Sequence, residues 1–186
     1  MNQISKAKVK RWRNLVKDGT CFDSNKCKGK YFIKFALEYF AFNEILKNKY
    51  NEHLDRGRIN KFKNEFRDND KWEKQVLKRA QNTINDLKKE LDKKPLQNLT
   101  RNNHNIIEIK DSNDFDGIIE AVYIIRNNLF HGEKDPDEKR DKHLVGIGSK
   151  LLSVFNDYLL EIDSYSMRQQ ASKKAEALPA KREKQI

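Results

Sequence analysis

Two residues in the stretch VYIIRNNLFHGEK (122–134) have types suited to chemistry. Arg126 and His131 stand five positions apart, where an apolar run is cut by arginine, two asparagines and histidine and then stopped by Gly132. A histidine titrates near neutrality and can take or deliver a proton. An arginine can hold an anion through two parallel N–H donors, which a lysine cannot copy. Together they supply a proton-transfer group and a clamp for growing negative charge. Arg126 falls on or beside the apolar stripe of Val122, Tyr123, Leu129 and Phe130, so its charge needs an acceptor or an anion. On a regular helix a five-residue step turns about 140°. One copy of the helix therefore does not clamp a small group between these two side chains. Either the helix end is distorted, or two copies face each other. The plainer alternative is a helix C-terminus at which Arg and His favour the last carbonyls and Gly132 adopts a left-handed cap.

Other chemical patterns are weaker. SNDFDG (112–117) imitates the start of a calcium loop, but the twelfth position is Tyr123 where a bidentate Glu is required. Its carboxylates suit a helix N-terminus instead. His53, His104, His131 and His143 form no ligand pair at helical spacing, so no metal site is expected. His104 and His143 lie in polar surroundings, as solvated histidines do. Seven scattered glycines give neither a Walker nor a Rossmann loop, which argues against a nucleotide triphosphatase, and no cofactor is expected.

Positioning such residues falls to helices. The chain has 186 residues, 37% apolar and 36% charged, with ten Phe, six Tyr and two Trp but only seven Gly and three Pro. That aromatic content suits a packed core, and the scarcity of turn residues suits an all-helical one. Helices are predicted over about 3–17, 30–50, 55–68, 70–93, 114–130 and 137–163, with a loop at 19–29 and an irregular connection at 95–113 that holds a short extended piece at NIIEIK. Pro136 is placed to start the last helix. In the 30–50 helix the stripe 32, 36, 39, 43, 46, 50 puts Asn43 on a core-facing line. In the 70–93 helix Trp72, Val76, Ala80, Ile84, Leu87 and Leu91 recur with helical period. The reading is one domain over 1–165 followed by a basic, flexible tail over 166–186.

The net charge of +11 is unevenly placed. Residues 1–30 hold nine Lys/Arg against two Asp, and residues 166–186 hold six against two Glu, so the rest of the chain is balanced. Basic ends on a neutral body suit a polyanionic partner, although basic termini also serve solubility. No apolar run suggests a signal peptide or a membrane span, and Cys21 and Cys27 are too few for a disulfide scaffold. A cytoplasmic, reduced protein without membrane attachment is the expectation.

IIRNNLFHG, with Arg126, Asn127 and His131, resembles the R-x4–6-H signature of the HEPN superfamily, helical proteins that include many RNases and toxins of bacterial conflict systems. KFALEYFAFNEILKNKY resembles the aromatic-rich helix of that superfamily. The likeness spans roughly 30–165 in pattern, and its specific part is 123–134. It implies an all-α, HEPN-like antiparallel bundle of five to six helices that pairs as a homodimer, with both Arg/His sets lining one shared cleft. It further implies a metal-independent endoribonuclease, a toxin or phage-defence effector, in which an RNA 2′-hydroxyl attacks the adjacent phosphate. Arg126 and His131 would be catalytic. Asn127 and Asn43 would orient these groups or bind phosphate, Asn43 alternatively being a satisfied core asparagine. An antitoxin or other regulatory protein is a further implied partner. One branch of the superfamily has a modified Tyr two residues after the His; Glu133 occupies that position here. Two other readings stand beside the nuclease: a non-catalytic HEPN-like module that binds RNA or nucleotide, and a subunit that offers an apolar face to partner helices.

Overall fold

A computed structural model describes residues 30–67, 69–97, 106–111, 113–135 and 137–176, together with Ala7 and Lys10 taken singly. Apart from Ala7 and Lys10, the helix expected at 3–17 lies outside these residues, as do the loop at 19–29, His104 and Pro136. Among the described residues the architecture is mostly helical, with one two-stranded ribbon.

Helix α1 is Lys30–Lys49 and α2 is Asp55–Phe66. Helix α3, Asp70–Trp72, runs through a π-helical turn, Glu73–Leu77, into α4, Lys78–Lys93. Strand β1, Leu96–Gln97, pairs antiparallel with β2, Ile106–Ile107, in the register Leu96 to Ile107 and Gln97 to Ile106. Helix α5 is Phe115–Phe130 and α6 is Lys139–Glu176. Among the described residues, no helix is long and apolar enough to cross a membrane.

The π turn departs from the uninterrupted helix expected over 70–93. The wide turn shifts the helix phase, and Trp72, Val76, Leu77 and Ala80 are all buried across it. From there Ile84, Leu87 and Leu91 continue the stripe into the core as their spacing predicts. Helix α6 begins two residues later than expected and runs thirteen residues beyond 163. The helix thus continues into the basic segment as far as Glu176; residues 164–176 contain neither Gly nor Pro and are rich in good helix formers.

Helix α5 sits deepest. Ile118, Ile119, Ala121, Val122, Ile124 and Ile125 are all buried, so the helix is apolar nearly all round and is enclosed by its neighbours. Asp114 begins it, its carboxylate accepting the Gly117 N–H at 2.9 Å, which fulfils the N-terminal role expected of SNDFDG. Helix α1 packs most extensively on α6. Gly148 permits that approach, since a Cβ there would lie 2.7 Å from Phe35 Cε2. Between α2 and α5 runs a row of ion pairs, Arg126 to Asp55 at 2.8 Å, Arg56 to Glu120 at 2.5 Å and Arg67 to Asp116 at 2.6 Å. These contacts set the start of α2 against the end of α5.

Candidate active site

The end of α5 carries the residues singled out above, and its geometry follows from its cap. His131 closes the helix at φ −97°, ψ 7°, with its N–H donating to Asn127 O. Gly132 takes φ +77°, its N–H donating to Leu129 O at 3.2 Å while the Glu133 N–H donates to Asn128 O at 2.8 Å. This pair of bonds is a Schellman cap, and the left-handed residue is the glycine expected there. Asn128 is buried, and its amide donates to Gln97 O at 2.8 Å, which ties the helix end to β1. Beyond the cap, Lys134 pairs with Asp141 at 2.5 Å and the Asp135 N–H donates to the same carboxylate, fastening the connection to α6.

Arg126 is half-buried and finds the acceptor its position demands. Its guanidinium donates to Asp55 Oδ2 at 2.8 Å and to Asn127 Oδ1 at 2.9 Å. Its Cζ lies over two rings, 5.2 Å from the Tyr39 centroid and 5.0 Å from that of Phe130. The Nε donor is buried and has no hydrogen-bond partner. A planar cation is therefore oriented by one carboxylate and two aromatic walls, with its buried Nε–H unspent.

Asp55 holds a second arginine. Arg58, nearly buried, donates to Asp55 Oδ1, to Asn43 Oδ1 at 3.2 Å, and to the carbonyls of Glu52 and His53 at 2.8 and 3.0 Å. Every nitrogen of Arg58 is occupied, which marks it as a strut. Asn43, Arg58, Asp55, Arg126 and Asn127 so form one continuous polar network across α1, α2 and α5. Tyr39 lies against it, its phenol pushed well above the usual range, first by burial and then by the negative charge of Asp55, with Arg126 acting in the opposite sense. At neutral pH Tyr39 is an uncharged wall of the site.

His131 lies apart from the network. It is exposed, and no described residue forms a hydrogen bond or ion pair with its imidazole. The structure thus joins Arg126, Asn127 and Asn43, and leaves His131 at the rim, as the wide angular separation on one helix requires. Asn43 is half-buried, and its Oδ1 accepts from Arg58 Nε.

Sequence reasoning missed Asp55 and Arg58. Their visible signal was DRGR at the start of α2, but a carboxylate in a first helical turn already has a local reason to be there. Asp55→Ala would leave two partly or fully buried guanidinium groups without their shared acceptor. We expect a loss of about 2 kcal/mol in unfolding free energy, read from the urea midpoint. In a double-mutant cycle with Arg126→Ala, a coupling of at least about 0.5 kcal/mol is expected; additivity would mean that the pair does not interact.

Compared with protein-family models, curated proteins and solved structures, the chain matches none.

Proposed function

We propose that this chain is a metal-independent endoribonuclease of the HEPN type, acting as a homodimer in a toxin or defence role. The observation that carries the reading is the arginine of the last turns of α5, pre-oriented by Asp55, Tyr39 and Phe130 and keeping a spare buried donor. The exposed His131 follows it at the glycine-capped end of the same helix.

In this reading the 2′-oxygen of a ribose attacks the adjacent phosphorus and the bond to the 5′-oxygen breaks. His131 accepts the 2′-hydroxyl proton, a second acid protonates the departing 5′-oxygen, and Arg126 offsets the charge on the phosphorane. The products are a 2′,3′-cyclic phosphate and a 5′-hydroxyl. A second copy would supply the second acid as its own His131. Phe130 is 40% exposed beside Arg126, and Phe40, stacked on it at 5.8 Å, and Ile33 are 41% and 43% exposed. This apolar surface next to the arginine supports a two-fold pairing that faces two such helix ends across one cleft.

The test is cleavage of end-labelled RNA in EDTA, with product ends identified, by the wild type and by Arg126→Ala. Cyclic-phosphate ends from the wild type alone are expected. Equal cleavage by both proteins, or activity abolished by the chelator, overturns the reading.

One observation favours the alternative of a non-catalytic RNA- or nucleotide-binding module. Arg126 already pairs with Asp55, so an anion arriving there must compete with a carboxylate, although Arg58 shares that carboxylate. Salt-dependent RNA binding with no cyclic-phosphate product would establish that alternative.

A further inference from the structure

A second basic feature lies away from Arg126. Lys139, Lys142, His143 and Lys150 recur along one stripe of α6, and with Tyr31 of α1 and Ile147 they line an open groove of about 380 Å³. None of the three lysines has a carboxylate partner among the described residues, and no acidic side chain lines the groove. Asp141, in the same first turn, is taken by Lys134.

The lysines of the groove stand in the N-terminal part of the helix. The first turns of a helix carry the positive end of its dipole, where acidic residues stabilise and cations do not. Here lysines at 139 and 142 and a histidine at 143 stack on that positive end. Asp137, Glu138 and Asp141 stand at the same helix end, but none of them lines the groove, which therefore carries positive side chains alone.

An aromatic ring completes it. Tyr31 is 43% exposed at the edge of the groove, with Lys30 Nζ 5.4 Å from its centroid. Its Cδ1 stands 3.8 Å from where a Cβ on residue 146 would lie, so Gly146 keeps the floor low beside the ring. Exposed aromatic surface beside a row of cations is the combination that takes a base on its face and phosphates along its edge.

We propose that this groove binds single-stranded RNA without sequence preference, stacking a base on Tyr31 and holding the flanking phosphates with Lys139, Lys142 and Lys150. The proposal rests on the reading that RNA is the ligand of this chain, and it gives the strand a contact separate from Arg126 and His131. The excess of lysine and arginine in residues 1–30, which lead directly into Tyr31, extends the same charge in sequence.

The experiment uses the full chain and a fluorescent 2′-O-methyl oligouridine of about a dozen nucleotides, which cannot be cleaved by attack of a 2′-hydroxyl. Fluorescence anisotropy is followed across a salt series. Tyr31→Ala is expected to weaken binding by about tenfold while Tyr31→Phe stays within about twofold of the wild type. Lys142→Gln and Lys150→Gln should each lower the salt slope by about 0.7. Gly146→Leu, which fills the floor and leaves every charge in place, should weaken binding by at least about fivefold. Affinities within twofold of the wild type for all variants overturn the proposal. So does a lysine effect without any effect of Tyr31→Ala or Gly146→Leu, which would describe a charge patch open to any polyanion. Groove-dependent binding by a protein that leaves ordinary RNA uncut would uphold the groove and overturn the nuclease reading.

Discussion

His131→Ala is expected to lower RNA cleavage by at least about 10²-fold while leaving the melting temperature within about 2 °C of the wild type. The two halves of that result have separate causes. An imidazole that moves a proton in the rate-limiting step contributes about 10²–10⁴ in rate, and alanine cannot replace it. Its folding role is small, because the residue is exposed and its structural bond is made by the backbone N–H, which alanine retains. Gly132 and Glu133 keep the cap whatever stands at 131. His131→Ala is thus the cleaner probe of chemistry. Arg126→Ala also removes a partner of Asp55 and a cation held over two rings, so its activity loss mixes with a structural one. Unchanged cleavage by a fully folded His131→Ala protein would remove the histidine from the mechanism.

The largest stability effect is expected at Trp72. Its ring lies 4.9 to 5.3 Å from those of Phe62, Phe66, Phe115, Phe155 and Tyr158, so it joins α2, α5 and α6 in one aromatic cluster. It is 1% exposed. Trp72→Ala should cost about 3–5 kcal/mol, since neighbours drawn from three helices cannot all collapse into the space left. Trp72→Phe should cost much less than the alanine change. It keeps the aromatic contact and removes the indole N–H, which is buried without a hydrogen-bond partner and costs about 1–3 kcal/mol as it stands. Calorimetric or urea unfolding of both variants checks the order. Equal losses would show that the indole's size, and not its unsatisfied donor, governs the site.

The two predictions rest on different parts of the chain's logic. The stripe Trp72, Val76, Ala80, Ile84, Leu87 and Leu91 was legible as a core-facing line because burial of alternate turns leaves a periodic mark in sequence. The π turn inside it left no such mark, since a single wide turn preserves the apolar residues and changes only their phase. Likewise the start of α5 at Asp114 and its end at Gly132 could be read locally, as caps depend on residues within one turn. The length of α6 could not, because its continuation beyond 163 carries no apolar period to mark it.

The site divides in the same way. Sequence by itself determined that a helix ends at an arginine and a histidine, that the arginine's charge needs an acceptor, and that one helix cannot point both side chains at one small group. Only tertiary structure decided that the acceptor is Asp55, which lies 71 residues away along the chain. The same folding made Arg58 and Asn43 part of the network and turned Tyr39 and Phe130 into walls for the guanidinium. The physical reason is range. Caps and amphipathic stripes are set by neighbours within a few residues, whereas a carboxylate placed against a guanidinium is chosen by how helices pack, and that choice leaves no spacing to read.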